Sequence, residues 1–430
     1  MINNNEQLIK IIDFWRKSVE KDELQIRHIL EMIDIKSEEI IDLVGPRRSG
    51  KSSVLKLIIR NLDLKGNFLY INFEDPFFIS HNDPEIIEDL VAVFREYFNS
   101  GLRYLFFDEI QEIDHWEKAV RKLRDGENFK IFITGSSSKL LSGEISSLIT
   151  GRHLSYKIFP LSFAEYIDFK KIKLEGDKDI VLKEKLLHKE FLKFMEIGGF
   201  PAVVTGDNPA LLKNYFLDIL QKDIIIRHDI REKDALEKMA VFVLSNSGKI
   251  TTAESLKKAY NLSFDTVSSY LEYFKESFLV FDLLQFSFSY KNQSKTLKKI
   301  YAVDTGLASS VSFRFSEDRG RILENVVFLE LKRKCDEVFY YKNQDGTEVD
   351  FLTREKNKNK ELIQVCWDLS DEETKKREVD SLLKAMNELK LKSGAVLTNN
   401  ETGEINTDGK TIIIQPVFKR FLAGNLPRRQ

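Results

Sequence analysis

The sequence has few cysteines and no long apolar run, and each absence excludes a class of protein. Its two cysteines, Cys335 and Cys366, are too few for the disulfide framework of a secreted protein and favour a reducing compartment. No stretch approaches the ~18 consecutive apolar residues of a membrane-spanning helix, and the first residues do not contain the apolar core of a signal peptide. We therefore expect a cytoplasmic protein with no membrane partner.

An excess of either charge is also absent. The 430 residues include 66 Lys and Arg against 68 Asp and Glu, which gives a formal net charge of −2. A polyanion such as DNA would therefore have to bind a local basic patch and not the whole surface. A hydrophobic content of 42% with 31% charged residues is typical of a folded chain. Its length corresponds to about three domains of ~150 residues.

The strongest motif follows a short apolar stretch at residues 40–44 and fits G-x-x-x-x-G-K-[ST] at every fixed position. In such a loop, successive backbone N–H groups point at the β-phosphate, and the next helix presents the positive end of its dipole. Lys51 would reach the β- and γ-phosphate oxygens, and the Ser52 hydroxyl would bind Mg²⁺. The predicted nucleotide-binding residues are Gly45, Pro46, Arg47, Arg48, Ser49, Gly50, Lys51, Ser52 and Ser53.

A second apolar stretch ends in two acids, Asp108 and Glu109. Asp108 is predicted to hold Mg²⁺ together with Ser52, and Glu109 to polarise the attacking water as a general base. A third apolar stretch ends near Ser136, which, like Thr134, could sense the γ-phosphate. The sequence lacks the N/T-K-x-D segment that reads guanine, so ATP is the predicted nucleotide.

Apolar strands alternate with amphipathic helices across residues 39–170, which predicts an α/β domain with a parallel sheet. Ligands of such sheets bind at the carboxyl ends of the strands. We therefore expect Lys51, Asp108 and Ser136 to lie along one edge of the sheet.

Five segments of the chain resemble a known family. They are GPRRSGKSS, LFFDEIQ, ITGSSSKLL, GRHLSYKIFPLSFAEY and GGFPAVV. With them, residues 25–425 resemble the AAA+-type P-loop ATPases of a prokaryotic, largely archaeal family. In that family an ATPase core precedes a winged helix and a C-terminal nuclease-like domain of unknown function. The resemblance implies the strand order 5-1-4-3-2 and casts Arg152 as an arginine finger or sensor at the γ-phosphate.

The chain is predicted to contain five segments. They are a helical lead-in at 1–38, a P-loop ATPase core at 39–170, a helical segment at 171–235, a winged helix at 236–303 and a PD-(D/E)XK-like domain, the restriction-endonuclease-like α/β fold, at 304–430. The wing at 290–299 contains four lysines, but the helix in the recognition position carries mainly acids. Both DNA and a protein therefore stay open as partners.

In the nuclease-like domain, a predicted helix carries acids at Glu324 and Glu330. Glu330, Asp350 and Gln364 take the positions that the resemblance gives to a metal site. Gln364 stands where a carboxylate is usual, and Cys366 stands where the catalytic lysine is usual. An amide is a poorer Mg²⁺ ligand than a carboxylate, and a thiol has no fixed positive charge. Lys375 or Lys376 of the next helix could substitute for that lysine. We expect an inactive nuclease fold that is retained for binding.

The sequence thus favours an ATP-hydrolysing protein whose nucleotide state controls its C-terminal partner-binding modules. DNA, another protein and a second copy of the chain are the expected partners. One alternative is an Mg²⁺-dependent DNA nuclease gated by ATP. The other is a scaffold that binds ATP without hydrolysing it.

Overall fold

The structure, a computed structural model, describes residues 4–127, 129–137, 153–293, 296–312, 318–356 and 358–423. The chain divides into two units. The first runs to Ile158 and includes Glu276–Phe278, and the second contains Phe159–Lys275 and the chain from Leu279 onwards. One sheet of the structure has five strands and the other has nine.

The first unit is built on five parallel strands in the order β2-β3-β4-β1-β5. The strands are β1 Ile40–Val44, β2 Phe68–Asn72, β3 Tyr104–Asp108, β4 Lys130–Gly135 and β5 His153–Lys157. The order confirms the predicted 5-1-4-3-2. Its register sets Asn72 beside Asp108 and Val44 beside Gly135, so these residues share the carboxyl edge of the sheet.

Helices cover this sheet because its strands are apolar on both faces. They are α1 Asn4–Lys21, α2 Lys51–Asn61, α3 Glu85–Tyr97 and α4 Trp116–Glu127. Among the described residues of this unit, short 3₁₀ turns lie at His28–Glu31, Pro76–Ile79 and Ile110–Glu112. The rings of Phe106 and Phe132 stack at 4.7 Å in the core between the layers.

The lead-in is predicted as helical over 1–38, and its described part, from residue 4, is helical only in α1 and in the turn His28–Glu31. Between them, Arg27 has an extended backbone with φ −108° and ψ 134°. This conformation lets Arg27 Nη1 donate a hydrogen bond to the carbonyl oxygen of Ser49 at 2.8 Å. A tertiary contact therefore overrides the helical pattern of the sequence.

The second unit is built on a mixed sheet in the order β13-β14-β12-β11-β10-β9-β7-β8-β6. The strands are β6 Lys249–Ile250, β7 Val280–Gln285, β8 Lys298–Ala302, β9 Glu337–Lys342, β10 Glu348–Glu355, β11 Lys358–Val365, β12 Ser393–Thr398, β13 Gly403–Thr407 and β14 Lys410–Pro416. β11, β12 and β14 run parallel, and β7 pairs in parallel with β9 through Leu284 and Phe339. The predicted segments 236–303 and 304–430 thus contribute strands to one sheet.

Helices of the second unit precede, interrupt and follow this sheet. They are α5 Phe163–Phe169, α6 Asp177–Leu182, α7 Glu184–Ile197, α8 Pro201–Gly206, α9 Leu211–Asp218, α10 Lys233–Ser245, α11 Ala253–Tyr260, α12 Phe264–Glu276, α13 Tyr290–Gln293, α14 Thr305–Val311, α15 Arg319–Lys334, α16 Glu372–Glu388 and α17 Val417–Ala423. A π-helix, Ile219–Ile226, continues α9. A hydrophobic core that includes Leu283 and Phe328 joins helices and strands from the two predicted segments 236–303 and 304–430.

A buried acid fixes the glycine turn between α7 and α8. Asp304 accepts hydrogen bonds from the backbone N–H groups of Gly199 at 2.7 Å and Leu307 at 2.8 Å. Burial raises the pKa of Asp304 to about 6, although these N–H groups oppose the shift. A Cβ at Gly199 would lie 2.3 Å from the carbonyl oxygen of Leu161, and Gly198 has a φ of 73°. Packing therefore explains why this part of the sequence contains two glycines.

Candidate functional site

The loop between β1 and α2 begins and ends at glycines that the backbone requires. A Cβ at Gly45 would lie 2.2 Å from the carbonyl oxygen of Ile158, so a side chain cannot fit there. Gly50 has a left-handed φ of 97°, and α2 begins at the next residue, Lys51. The loop therefore sets the start of α2, with its unpaired backbone N–H groups, beside the carboxyl edge of the sheet.

Lys51 lies inside this loop with its side chain 3% exposed. Its Nζ donates to the carbonyl oxygens of Gly45 at 3.2 Å and Pro46 at 3.3 Å. The same Nζ is 3.3 Å from Oε1 of Glu109. The predicted phosphate-binding lysine and the predicted general base are thus in direct contact.

Asp108, at the end of β3, is fully buried and surrounded by hydrogen-bond donors. Its Oδ2 accepts from the Tyr70 hydroxyl at 3.0 Å and from Asn72 Nδ2 at 3.1 Å, and its Oδ1 accepts from the Thr134 hydroxyl. Burial, together with the charge of Glu109, raises the pKa of Asp108, while the side chains of Thr134, Ser52 and Tyr70 oppose this rise. A carboxylate beside the Ser52 hydroxyl has the oxygen chemistry that Mg²⁺ prefers, so these residues fit the predicted ion.

Glu109 follows Asp108 with a left-handed φ of 51°, an uncommon conformation for a residue other than glycine. Its Oε2 accepts a hydrogen bond from Gln111 Nε2 at 2.7 Å. Burial alone would raise the pKa of Glu109, but the charges of Lys51 and Arg47 outweigh it and lower the pKa. Glu109 is therefore an ionised carboxylate held in one position, as a general base requires.

A threonine orders both acids. The Thr134 hydroxyl donates to Asp108 and accepts the backbone N–H of Glu109 at 2.9 Å. Ser136 lies just after β4 and is buried, so the structure sets it at the predicted edge of the sheet. Its role as a γ-phosphate sensor stays a prediction. Arg152, the predicted arginine finger or sensor, lies outside the described residues.

Three residues of the site were missed by the sequence analysis: Arg27, Tyr70 and Asn72. Arg27 is 4% exposed and supports the loop through Ser49, but nothing in its sequence neighbourhood indicates that contact. Asn72 could have been found, because it ends β2 and the predicted strand order makes β2 the neighbour of β3. Among the loop arginines, Arg47 forms an ion pair with Glu74.

The residues predicted for a vestigial nuclease site are only partly brought together. Gln364 Oε1 accepts the backbone N–H of Asp350 at 3.3 Å across β10 and β11. Glu330 instead pairs with Lys334 at 2.8 Å. Burial, followed by the charge of Glu324, raises the pKa of Asp350 well above its usual range. Glu324 thus takes the place beside Asp350 that was expected of Glu330. The two acids lie on different faces of α15, because six residues of α-helix rotate the direction of the side chain by about 240°.

The side chains considered for the position of the catalytic lysine have other partners. The Cys366 thiol donates to the carbonyl oxygen of Asp368 at 3.1 Å, and Lys375 pairs with Glu372 at 3.7 Å. Lys299 of β8, which lies before the predicted domain, is 3.8 Å from Asp350. Within the described ranges, no group of three or more His, Cys, Asp or Glu is arranged to hold a metal ion.

In the part of the chain that the structure describes, no helix is both long and apolar enough to span a membrane.

Comparison with known families assigns most of the chain. Residues 37–167 match the AAA domain family. Residues 188–318 match a domain of unknown function, DUF8612, and residues 319–416 match another, DUF4143. The AAA match confirms the predicted AAA-type ATPase family, whereas the C-terminal match describes no nuclease.

Two curated proteins are similar over nearly their whole length. The uncharacterized protein MJ1544 of Methanocaldococcus jannaschii is 39% identical over 391 residues, which cover 87% of this chain and 86% of that protein. An uncharacterized protein of Haemophilus influenzae is 30% identical over 371 residues, which cover 83% of this chain and 89% of that protein. Among solved structures, Cdc6p from Pyrobaculum aerophilum aligns at 12% identity over 74% of this chain and 95% of that one, with a TM-score of 0.27. That TM-score is too low to support a conclusion.

Proposed function

This chain belongs to the same family as these archaeal and bacterial relatives and contains an AAA domain, and we propose that it binds ATP with Mg²⁺ and hydrolyses the ATP. One observation carries the proposal: Lys51, Asp108, Glu109 and Thr134 form a single contact network at the carboxyl edge of the sheet. These residues come from the start of α2, from β3 with the residue after it, and from β4. Their meeting requires the fold, so a chance match of the loop pattern does not explain it.

Each residue of the network has a role in this proposal. Backbone N–H groups at the start of α2 would bind phosphate oxygens, and Lys51 would neutralise their charge. Ser52 and Asp108 would hold Mg²⁺, which when bound polarises the phosphate oxygens. Glu109, kept ionised by Lys51 and Arg47, would accept the proton of the attacking water. Ser136 and Arg152 are proposed to contact the γ-phosphate, with Arg152 supplied by the same chain or by a second copy.

We further propose that the nucleotide state controls how the second unit binds a partner. The order of α10, β6, α11, α12, β7 and β8 supports a winged helix at 236–303. In its wing, Lys298 pairs with Asp282 at 3.2 Å and Lys299 with Glu348 at 2.7 Å. Because these lysines neutralise carboxylates of their own unit, fewer charges remain for phosphates, and a protein partner is favoured over DNA.

Phosphate release from ATP and Mg²⁺ tests the ATPase proposal. The wild type should release phosphate, and Glu109→Gln should release almost none, because an amide cannot accept the proton of water. Lys51→Ala should lose nucleotide binding, measured by titration calorimetry. Equal release from wild type and Glu109→Gln would remove Glu109 as the base. Binding by the wild type with no release would instead support the ATP-binding scaffold.

A further inference from the structure

A lysine of β8 lies among three carboxylates in the second unit. Lys299 Nζ is 2.7 Å from Glu348 Oε1, 3.2 Å from Glu324 Oε1 and 3.8 Å from Asp350 Oδ1. The lysine side chain is 7% exposed, and its Nζ also lies 5.7 Å from the centre of the Tyr340 ring. We call Lys299, Glu324, Glu348 and Asp350 the lysine–carboxylate cluster.

The charges of this cluster are mutually dependent. Burial alone would lower the pKa of Lys299, but Glu324, Asp350 and Glu348 outweigh burial and raise it, so the lysine is an ammonium ion. One positive charge faces three carboxyl groups, and the pKa of Asp350 is raised by burial and by the charge of Glu324. Removing the ammonium would leave three partly buried carboxyl groups without this cation, which is unfavourable.

The backbone holds the ammonium in place. β8 is flanked by β7 and β6, and Lys299 is in register with Leu283 on one side and Ile250 on the other. Tyr301, two residues along the same face of β8, donates its hydroxyl to Glu324 Oε1 at 2.6 Å. Lys299 therefore enters the cluster from a paired strand of the sheet and not from a mobile surface segment.

With Lys299 among them, these described carboxylates are not arranged to hold a metal ion. Several carboxylate oxygens around one buried cation are nevertheless the elements from which a Mg²⁺ or Ca²⁺ site is built. From these contacts we propose that Lys299 is a built-in cation, which occupies the position of a divalent ion and makes the cluster independent of metal. Its Nζ–oxygen distances are those of charged hydrogen bonds and ion pairs, longer than the roughly 2.0–2.6 Å of bonds to Mg²⁺ and Ca²⁺.

Manganese binding to the full-length protein tests the proposal, with electron paramagnetic resonance reporting the bound ion. Lys299→Met keeps an unbranched side chain, one atom shorter than lysine, and removes its charge. This variant should bind one additional Mn²⁺, roughly tenfold or more tightly than the wild type, because the charge of the ligands sets the affinity. Adding Asp350→Asn should abolish the new site, which distinguishes it from binding at Asp108. Lys298→Met, at the neighbouring exposed lysine, is the matched control and should behave as the wild type.

Two results would overturn the proposal. One is a folded Lys299→Met that binds no more Mn²⁺ than the wild type. The other is a wild type that already has a Mn²⁺ site which Asp350→Asn abolishes. Lys299 would then not occupy the position of the ion. If Lys299→Met is unfolded in chelator, Mn²⁺ added during refolding should restore its circular dichroism. Failure of Mn²⁺ to restore both Lys299→Met and Lys299→Gln would equally overturn the proposal.

Discussion

The ion pair between Lys51 and Glu109 makes nucleotide affinity sensitive to a change at Glu109. Lys51 Nζ is 3.3 Å from Glu109 Oε1, and the side chains are only 3% and 8% exposed. Phosphate oxygens would have to replace this carboxylate as the partner of Lys51. Glu109 also brings a negative charge close to a triphosphate. We therefore expect Glu109→Gln to bind ATP more tightly than the wild type while failing to hydrolyse it.

The size of the effect follows from the geometry. Two unit charges at this separation attract by about 5 kcal/mol at an effective dielectric constant of ~20. Most of that attraction does not become a gain in ATP affinity in Glu109→Gln. The lysine keeps its bonds to Gly45 and Pro46, and the glutamine amide still accepts a hydrogen bond. A net gain of about 1.4–2.7 kcal/mol remains, which corresponds to an affinity roughly 10- to 100-fold tighter.

Titration calorimetry with a non-hydrolysable ATP analogue and Mg²⁺ measures this affinity without turnover. Glu112→Gln is the matched control, because Glu112 is an exposed acid in the 3₁₀ turn that follows Glu109. Its substitution also removes one negative charge. The control should change affinity by less than about twofold, as surface charges at a distance are screened. If Glu109→Gln binds the analogue no better than the wild type, Glu109 does not compete with phosphate for Lys51.

Two further predictions concern the turn that Asp304 fixes. Gly199→Ala should lower the free energy of unfolding in urea by about 1–3 kcal/mol, because its Cβ meets the carbonyl oxygen of Leu161, whereas Gly206→Ala has open space and should not. Burial raises the pKa of Asp304 from 3.8 to about 6, so the folded state binds the proton of this carboxyl more tightly than the unfolded state does. The wild type should therefore lose about 2 kcal/mol relative to Asp304→Asn as the pH rises from 4.5 to 7.5. If the free energies of unfolding of the two proteins change in parallel with pH, this prediction is contradicted.

The nucleotide site was predictable because its geometry is local. The loop from Gly45 to Ser52 needs only fixed spacing, a strand before it and a helix after it, and all three can be recognised in the sequence. The acids at Asp108 and Glu109 were found for the same reason, as they end an apolar strand. The strand order came from the family resemblance, and the structure confirms it.

Residues that reach the site across long distances in the chain were not predictable. Arg27 contacts Ser49 through an extended segment that interrupts a helical pattern, and no feature of the pattern marks that interruption. The choice between Glu324 and Glu330 depends on which face of α15 meets β10. Both faces of α15 are largely buried, so the apolar pattern of the helix did not indicate the answer.

Lys51 and Lys299 illustrate how the backbone decides whether a buried ammonium can exchange partners. Both lysines are at most 7% exposed and both pair with carboxylates. Lys51 stands at the first residue of a helix beside a glycine-bounded loop, and two of its three oxygen partners are loop carbonyls that a phosphate could replace. Lys299 stands on a strand paired on both sides, and its close oxygens belong to side chains of α15 and β10. Ligand exchange is therefore expected at Lys51, whereas Lys299 should keep its carboxylates in every nucleotide state.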